Sequence, residues 1–219
     1  MDVDWEEQAN RLAHAAVSDG EPTRWFDELY SAGERGDISM PWDRGKPNGL
    51  IAAWGDRHEG AGARALVIGS GLGRDSEYLA TRGYSVTAID VAPTAIRTAQ
   101  QRYPDSTVHY RVADLLNAPK NLLGAFDLVV ESYTVQALPP TVRTEATTAV
   151  AGMVAPGGTL LVIASARDDD EPVTGPPWMM TRADIDGFGR DGLEPVLVEE
   201  VDSDSGFRHW RAEFRRAAH

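Results

Sequence analysis

Gly69, Ser70, Gly71, Leu72 and Gly73 directly follow the apolar run Ala65-Leu66-Val67-Ile68, and Arg74-Asp75 open a segment that the pattern predicts as a helix. A strand feeding a glycine-rich turn and then a helix brings a ligand close to the main chain, because the turn carries no Cβ atoms in the way. Asp90 closes the next apolar run, Tyr84 to Ile89, at about the ~20-residue distance that sets a carboxylate beside a ribose bound over such a turn. The chemistry these residues suggest is recognition of a nucleoside-bearing small molecule.

Three readings of the turn are open. A nicotinamide or flavin site wants glycine at the sixth position of Gly-x-Gly-x-x-Gly, and Arg74 stands there. The spacing Gly69, Gly71, Gly73 instead leaves backbone free for a flat nucleoside and an amino-acid tail with no pyrophosphate to cradle, which suits S-adenosylmethionine. The third reading is a tight strand-to-helix turn with no ligand.

Composition narrows the partners. The chain has 219 residues, 42% of them hydrophobic, enough for one large domain with an ordinary core. A formal net charge of -13 repels phosphate backbones and anionic membranes, so a small molecule is expected and nucleic acid and lipid are not. With no cysteine and five scattered histidines, no metal site is expected. The acidic start Met1-Asp2-Val3-Asp4 and the lack of any apolar run of ~18 residues predict a cytoplasmic protein, monomeric or homodimeric.

The elements that must position these residues fall into two regimes that meet near residue 62. Residues 1–61 read as a helical extension, with helices over Trp5 to Val17, Pro22 to Tyr30 and Asn48 to His58. Residues 62–219 alternate strands and helices. Strands are predicted over Arg64 to Ile68, Ser85 to Asp90, Thr107 to Val112, Phe126 to Glu131 and Gly158 to Ala164. Helices are predicted over Gly73 to Arg82, Pro93 to Arg102, Thr141 to Met153 and Arg182 to Phe188. Strands joined by helices pair in parallel, whereas the short loop Asp202-Ser203-Asp204-Ser205-Gly206 makes the last two runs, Glu194 to Val201 and Phe207 to Arg215, antiparallel.

From Arg64 onward this pattern resembles the class I S-adenosylmethionine-dependent methyltransferases. The resemblance implies an α/β fold: a three-layer αβα, Rossmann-like, mostly parallel sheet with an antiparallel C-terminal strand pair, here with an N-terminal helical extension. It also implies S-adenosylmethionine as methyl donor, S-adenosylhomocysteine as product and no metal. Gly69, Ser70, Gly71 and Gly73 would form the donor's turn, Asp90 would bind the ribose hydroxyls, and Val91 would lie next to adenine. Asp114 would meet the adenine amino group, with Leu115 supplying a backbone donor. Ile68 departs from the acid usual before the first glycine, so the donor's amino group needs another anchor, for which Asp75 and the N-terminal segment are the candidates.

Three shorter segments resemble the thiopurine and thiol (halide) methyltransferase group. They are Pro41-Trp42-Asp43-Arg44-Gly45-Lys46-Pro47, the turn with Asp75, and Phe126 to Ser132 followed by Ala137-Leu138-Pro139-Pro140 and Arg143. That resemblance implies a thiol acceptor and residues 1–61 as a lid over the cofactor, with Trp42 covering the sulfonium, whose charge favours an aromatic face. Glu131-Ser132 stands where thiopurine enzymes carry Asp-Arg, which argues against thiopurine itself. Methylation of a phenol, quinol or carboxylate is the alternative, and a protein that binds the donor without transferring its methyl group is the alternative from another class. Glu131, at the end of the fourth strand and among the expected donor contacts, and Tyr133 are the expected catalytic residues. Tyr30, Gln136 and Trp178 are the expected acceptor contacts. The run Asp168 to Glu171 reads as a solvated charge cluster.

Overall fold

The sequence folds into fourteen regular helices and strands, seen in a computed structural model that describes residues 5–40, 42–43, 45–202 and 206–218. Pro41 and Arg44 of the Pro-Trp-Asp segment, Met1 to Asp4, and Ser203 to Ser205 of the last loop lie outside the described residues. In chain order the elements are α1 (Trp5–Ser18), α2 (Arg24–Glu34), α3 (Gly49–Gly55), β1 (Arg64–Ile68), α4 (Arg74–Thr81), β2 (Ser85–Asp90) and α5 (Pro93–Arg102). Then follow β3 (His109–Val112), β4 (Phe126–Ser132), α6 (Arg143–Gly152), β5 (Val154–Ser165), α7 (Arg182–Asp186), β6 (Leu193–Asp202) and β7 (Arg208–Arg216).

The strands make one sheet in the order β3-β2-β1-β4-β5-β7-β6. The first five are mutually parallel, and β7 runs antiparallel to both β5 and β6. The chain order of the strands reverses between β1 and β4, where an open parallel sheet presents a crevice at the carboxyl ends of its strands. Both faces are covered, so β1 reads as a continuous apolar run with alternate residues serving opposite cores. Leu66 and Ile68 join Val129, Val150, Leu160 and Phe188 on one face, while Ala65 and Val67 join Ile51, Trp54, Leu79 and Leu161 on the other.

The expected strand, helix and antiparallel pattern is therefore the observed one, with local differences. Helix α2 runs on to Glu34 because Leu29 and Ala32 continue the buried stripe begun at Trp25. Helix α3 stops at Gly55 rather than His58, and it packs against the sheet through Ile51 and Trp54. Short 3-10 turns occupy Leu115–Asn117, Lys120–Leu122, Val135–Ala137 and Pro140–Val142, too brief to show a period in the sequence. Helices α1 and α2 bury Ala9, Ala13, Trp25 and Leu29 against each other and against Trp178 from beyond β5. No described helix is long and apolar enough to cross a membrane.

Candidate active site

The turn after β1 takes left-handed backbone at each of its three glycines, with φ of +61° at Gly69, +51° at Gly71 and +87° at Gly73. A hydroxyl from another element fills the space each missing Cβ would need. Thr134 Oγ1 lies over Gly69, the Tyr30 hydroxyl over Gly71 and the Tyr110 hydroxyl over Gly73. The Asp90 carboxylate holds the turn from below: Oδ2 accepts from the Gly71 N–H at 2.8 Å and Oδ1 from the Ala92 N–H at 2.9 Å. Burial pushes this carboxyl up to about 6 against those backbone hydrogen bonds, which favour the ionised form. The Ser70 hydroxyl, also in the turn, is buried with no hydrogen-bond partner among the described residues. A strand-end carboxylate and an orphaned hydroxyl in this turn fit a polar nucleoside ligand.

Val91 directly follows β2, and Asp114 lies two residues past β3, next to Ala113, whose N–H donates to Asp90 O at 2.9 Å. The Asp114 side chain accepts from the Leu116 N–H at 2.9 Å, capping the 3-10 turn in which Leu115 is buried. Asp75, a candidate anchor for the donor's amino group, accepts instead from the Asn48 N–H at 2.7 Å and so ties the N-terminal region to the start of α4.

The N-terminal helices dock on the carboxyl edge through polar contacts. Asp27 accepts from the Thr94 N–H at 2.8 Å, capping α5 from a distance of 67 positions in the chain. Asp43 receives both guanidinium nitrogens of Arg102, at 2.9 and 2.7 Å, and Arg74 at 3.2 Å, and these cations hold its carboxyl below the usual range. Arg74, which breaks the dinucleotide glycine pattern, thus secures the segment around Trp42. Trp42 is 40% exposed and meets Tyr30 and Trp5 edge-on at 6.0 and 5.8 Å. Tyr30, expected to touch an acceptor, lies on the glycine-turn side, where burial and the nearby Asp90 raise its phenol well above the ordinary value. A cavity of about 190 Å³ lies between α2 and α5, lined in part by Tyr30, Leu72, Asp43 and Arg102.

The end of β4 meets the same turn. Glu131 is fully buried; its Oε1 accepts from the Thr134 and Val135 N–H groups, both at 2.8 Å, while Oε2 has no partner among the described residues. Burial pushes its carboxyl up to about 7. Ser132 Oγ accepts from Asn48 Nδ2 at 3.4 Å. Tyr133 adopts a left-handed φ of +58°, uncommon for a bulky residue, and its N–H donates to Ile163 O at 2.8 Å. Its hydroxyl lies 3.3 Å from Nδ1 of His209 on β7.

Beyond β5 the chain is fixed at both ends. Gln136 is buried, accepting from the Ser165 N–H at 2.6 Å through its side chain and from the Trp178 N–H at 2.7 Å through its carbonyl. Trp178 itself packs among the N-terminal helices, so neither residue presents the open acceptor contact expected from the sequence. The Arg143 guanidinium donates to Trp178 O at 2.7 Å and to Asp184 at 2.8 Å, locking α6, α7 and the loop together. Arg143→Ala strands a carbonyl and a carboxylate in a largely buried place, and about 2–3 kcal/mol of stability is expected to disappear from a denaturant midpoint. Asp168 to Glu171 are exposed, and Asp168 also takes two hydrogen bonds from Arg208 at 3.0 Å. Among the described residues no group of acids and histidines could hold a metal ion.

Residues 65–158 match a family model described as a methyltransferase domain. A ubiquinone biosynthesis O-methyltransferase of Xanthomonas axonopodis pv. citri is 36% identical over 108 residues, 48% of this chain and 44% of that one. The chain thus aligns with less than half the length of the curated relatives it matches. Among solved structures, the N-methyltransferase NodS of Bradyrhizobium japonicum WM9 in complex with S-adenosylhomocysteine superposes with a TM-score of 0.65 at 24% identity, covering 85% of this chain and 97% of that one. A protein solved in work on conversion of a disulfide bond into a thioacetal group during echinomycin biosynthesis gives a TM-score of 0.71 at 24% identity, covering 88% and 92%. These likenesses extend the sheet topology over most of the chain.

Proposed function

We propose that this chain, whose residues 65–158 match the methyltransferase domain family, transfers a methyl group from S-adenosylmethionine to a hydroxyl of a small molecule, a phenol or quinol. The observation that carries the donor assignment is the buried Asp90 carboxylate, bonded to Gly71 across the glycine turn at the reversal point of the sheet. Asp90 would receive the ribose hydroxyls, Asp114 the adenine amino group and the Leu115 N–H a ring nitrogen, with Val91 against the base. Ser70 offers its unpartnered hydroxyl, and Trp42 would close over the sulfonium from the segment that Asp43 secures. Residues 5–61 act in this reading as a cover over the 62–219 core.

The donor supplies an activated methyl group, whose transfer is an in-line displacement. What the chain must add is alignment, exclusion of water and a place for the acceptor's proton. A thiol loses its proton readily near neutrality, whereas a phenol with an ordinary pKa of ~10 needs a base. The O-methyltransferase relatives support the hydroxyl over the thiol suggested by the Pro41-Trp42-Asp43 resemblance. Tyr133 would orient that hydroxyl at the end of β4.

Titration calorimetry with S-adenosylhomocysteine and with NAD tests the donor: binding of the first with none of the second is expected, and the reverse would sink the assignment. S-adenosylhomocysteine release over phenols, quinols and thiols tests the acceptor. Turnover confined to thiols overturns the hydroxyl reading, and binding without turnover of any acceptor makes the chain a binding protein.

A further inference from the structure

β7 runs antiparallel to β5, so its first residues reach the edge where the parallel strands end. His209 stands there opposite Ser165, the last residue of β5. Tyr133 arrives at the same place from the neighbouring strand. It directly follows β4, its N–H is bonded to the end of β5, and its flanking residues belong to the glycine-turn neighbourhood: Thr134 covers Gly69 and Ser132 meets Asn48. The two side chains meet with the Tyr133 hydroxyl 3.3 Å from His209 Nδ1 and the rings edge-on at 5.8 Å. Both are half-buried.

The backbone of Tyr133 points the same way. Left-handed φ in a non-glycine residue costs about 1–3 kcal/mol and persists where the surroundings over-determine it, most often at functional sites. Here the turn of β4 away from the sheet swings the aromatic ring toward β5 and β7, where it packs beside Ile163 and reaches His209.

We propose that Tyr133 and His209 form a proton relay that deprotonates the acceptor hydroxyl; this rests on the hydroxyl-methylating function proposed above. As the acceptor oxygen bonds to the methyl carbon, the carbon–sulfur bond of the sulfonium donor breaks and its electron pair stays on sulfur. The acceptor's proton passes to Tyr133 Oη while the Tyr133 proton passes to His209 Nδ1. His209 carries the charge as an imidazolium until water takes the proton. Tyr133 touches the acceptor and is the catalytic residue; His209 acts through it. Arg208 next in the chain is engaged by Asp168, Glu171 and Glu200, which draws its cation toward the loop beyond β5.

The test compares two acceptors in the full chain. 4-Methylphenol must lose its proton during the reaction, whereas 4-nitrophenol is already largely ionised at mildly alkaline pH. His209→Gln should lower kcat on 4-methylphenol by at least about 100-fold, the scale of acid–base catalysis, and on 4-nitrophenol by no more than about threefold, while Tyr133→Phe, which also loses the orienting hydroxyl, should slow both acceptors but 4-methylphenol at least about tenfold more. S-adenosylhomocysteine affinity, read by calorimetry, reports whether each variant is folded and should match the parent. The double variant should be no slower than the slower single one, because the two act as a unit. Equal losses on both acceptors, or no loss on either, overturn the relay. A parent that methylates thiols and no hydroxyl overturns the hydroxyl reading itself, and the relay with it. These failures are distinct, since the first appears only in the variants and the second in the parent.

Discussion

Asp90→Ala is expected to weaken S-adenosylhomocysteine binding by at least about 100-fold in a calorimetric titration. Two losses combine. Hydrogen bonds to a charged group contribute about 1.5–3 kcal/mol each, and the ribose hydroxyls would lose theirs. The turn would also lose its lower support, since the same carboxylate receives the Gly71 and Ala92 N–H groups. Asp90→Asn should do little better, because an amide nitrogen cannot accept from either backbone donor. In the parent, affinity should fall as pH drops through about 6, where the buried carboxyl takes up a proton and one oxygen ceases to accept. An affinity flat from pH 8 to pH 5, or unchanged in Asp90→Ala, would remove Asp90 from the ribose site.

Glu131→Gln is expected to make the protein more stable at pH 8 by about 1–3 kcal/mol while slowing methyl transfer. Glu131 ionises near its ordinary value of 4.5 when unfolded and at about 7 when buried in the native chain. Below the first value both states are protonated and the group costs nothing. As pH rises from there to about 7 the unfolded state ionises alone, and stability falls by about 3 kcal/mol at 1.36 kcal/mol per unit. Glutamine keeps the oxygen that accepts from Thr134 and Val135 and stays neutral throughout. Its amide nitrogen takes the place of the unpartnered Oε2, which returns part of the gain. Denaturant midpoints across pH 4.5 to pH 8 should therefore slope less in the variant than in the parent. The residual slope belongs to Asp90 and Asp75, whose carboxyls burial raises in the same direction. A variant that is both less stable at pH 8 and fully active would make Glu131 a structural brace for the end of β4. Stability withheld by an ionised oxygen with no partner is what a functional site commonly shows.

What was legible in the sequence was what local spacing controls. β1, β2 and α5 have the bounds the sequence suggests, because each is an apolar or amphipathic run cut by glycine or proline. The Gly69-Gly71-Gly73 spacing and its distance to Asp90 led to a turn and carboxylate that are in fact bonded. What depended on pairing across the chain was not legible. Nothing near Asp43 reveals Arg102, 59 positions later, and nothing near Tyr133 reveals His209, 76 positions later. A histidine opening a strand antiparallel to β5 was the available signal for the second pair. Trp178 lies in a proline-rich stretch with no period, so its side could not be read. It proved to pack on the N-terminal helices, and Gln136 proved to be bonded to Ser165.

The hydroxyls that occupy the space above Gly69, Gly71 and Gly73 come from residues 134, 30 and 110, on three separate parts of the chain. Each contact closes a loop of tens of residues, so none is favourable until the elements on either side are already ordered. The shape of the turn therefore belongs to the assembled sheet and not to the five residues that carry the motif. During folding it is completed late, after β4 has joined β1 and the N-terminal helices have settled, and a chain interrupted before Thr134 holds the motif without its geometry.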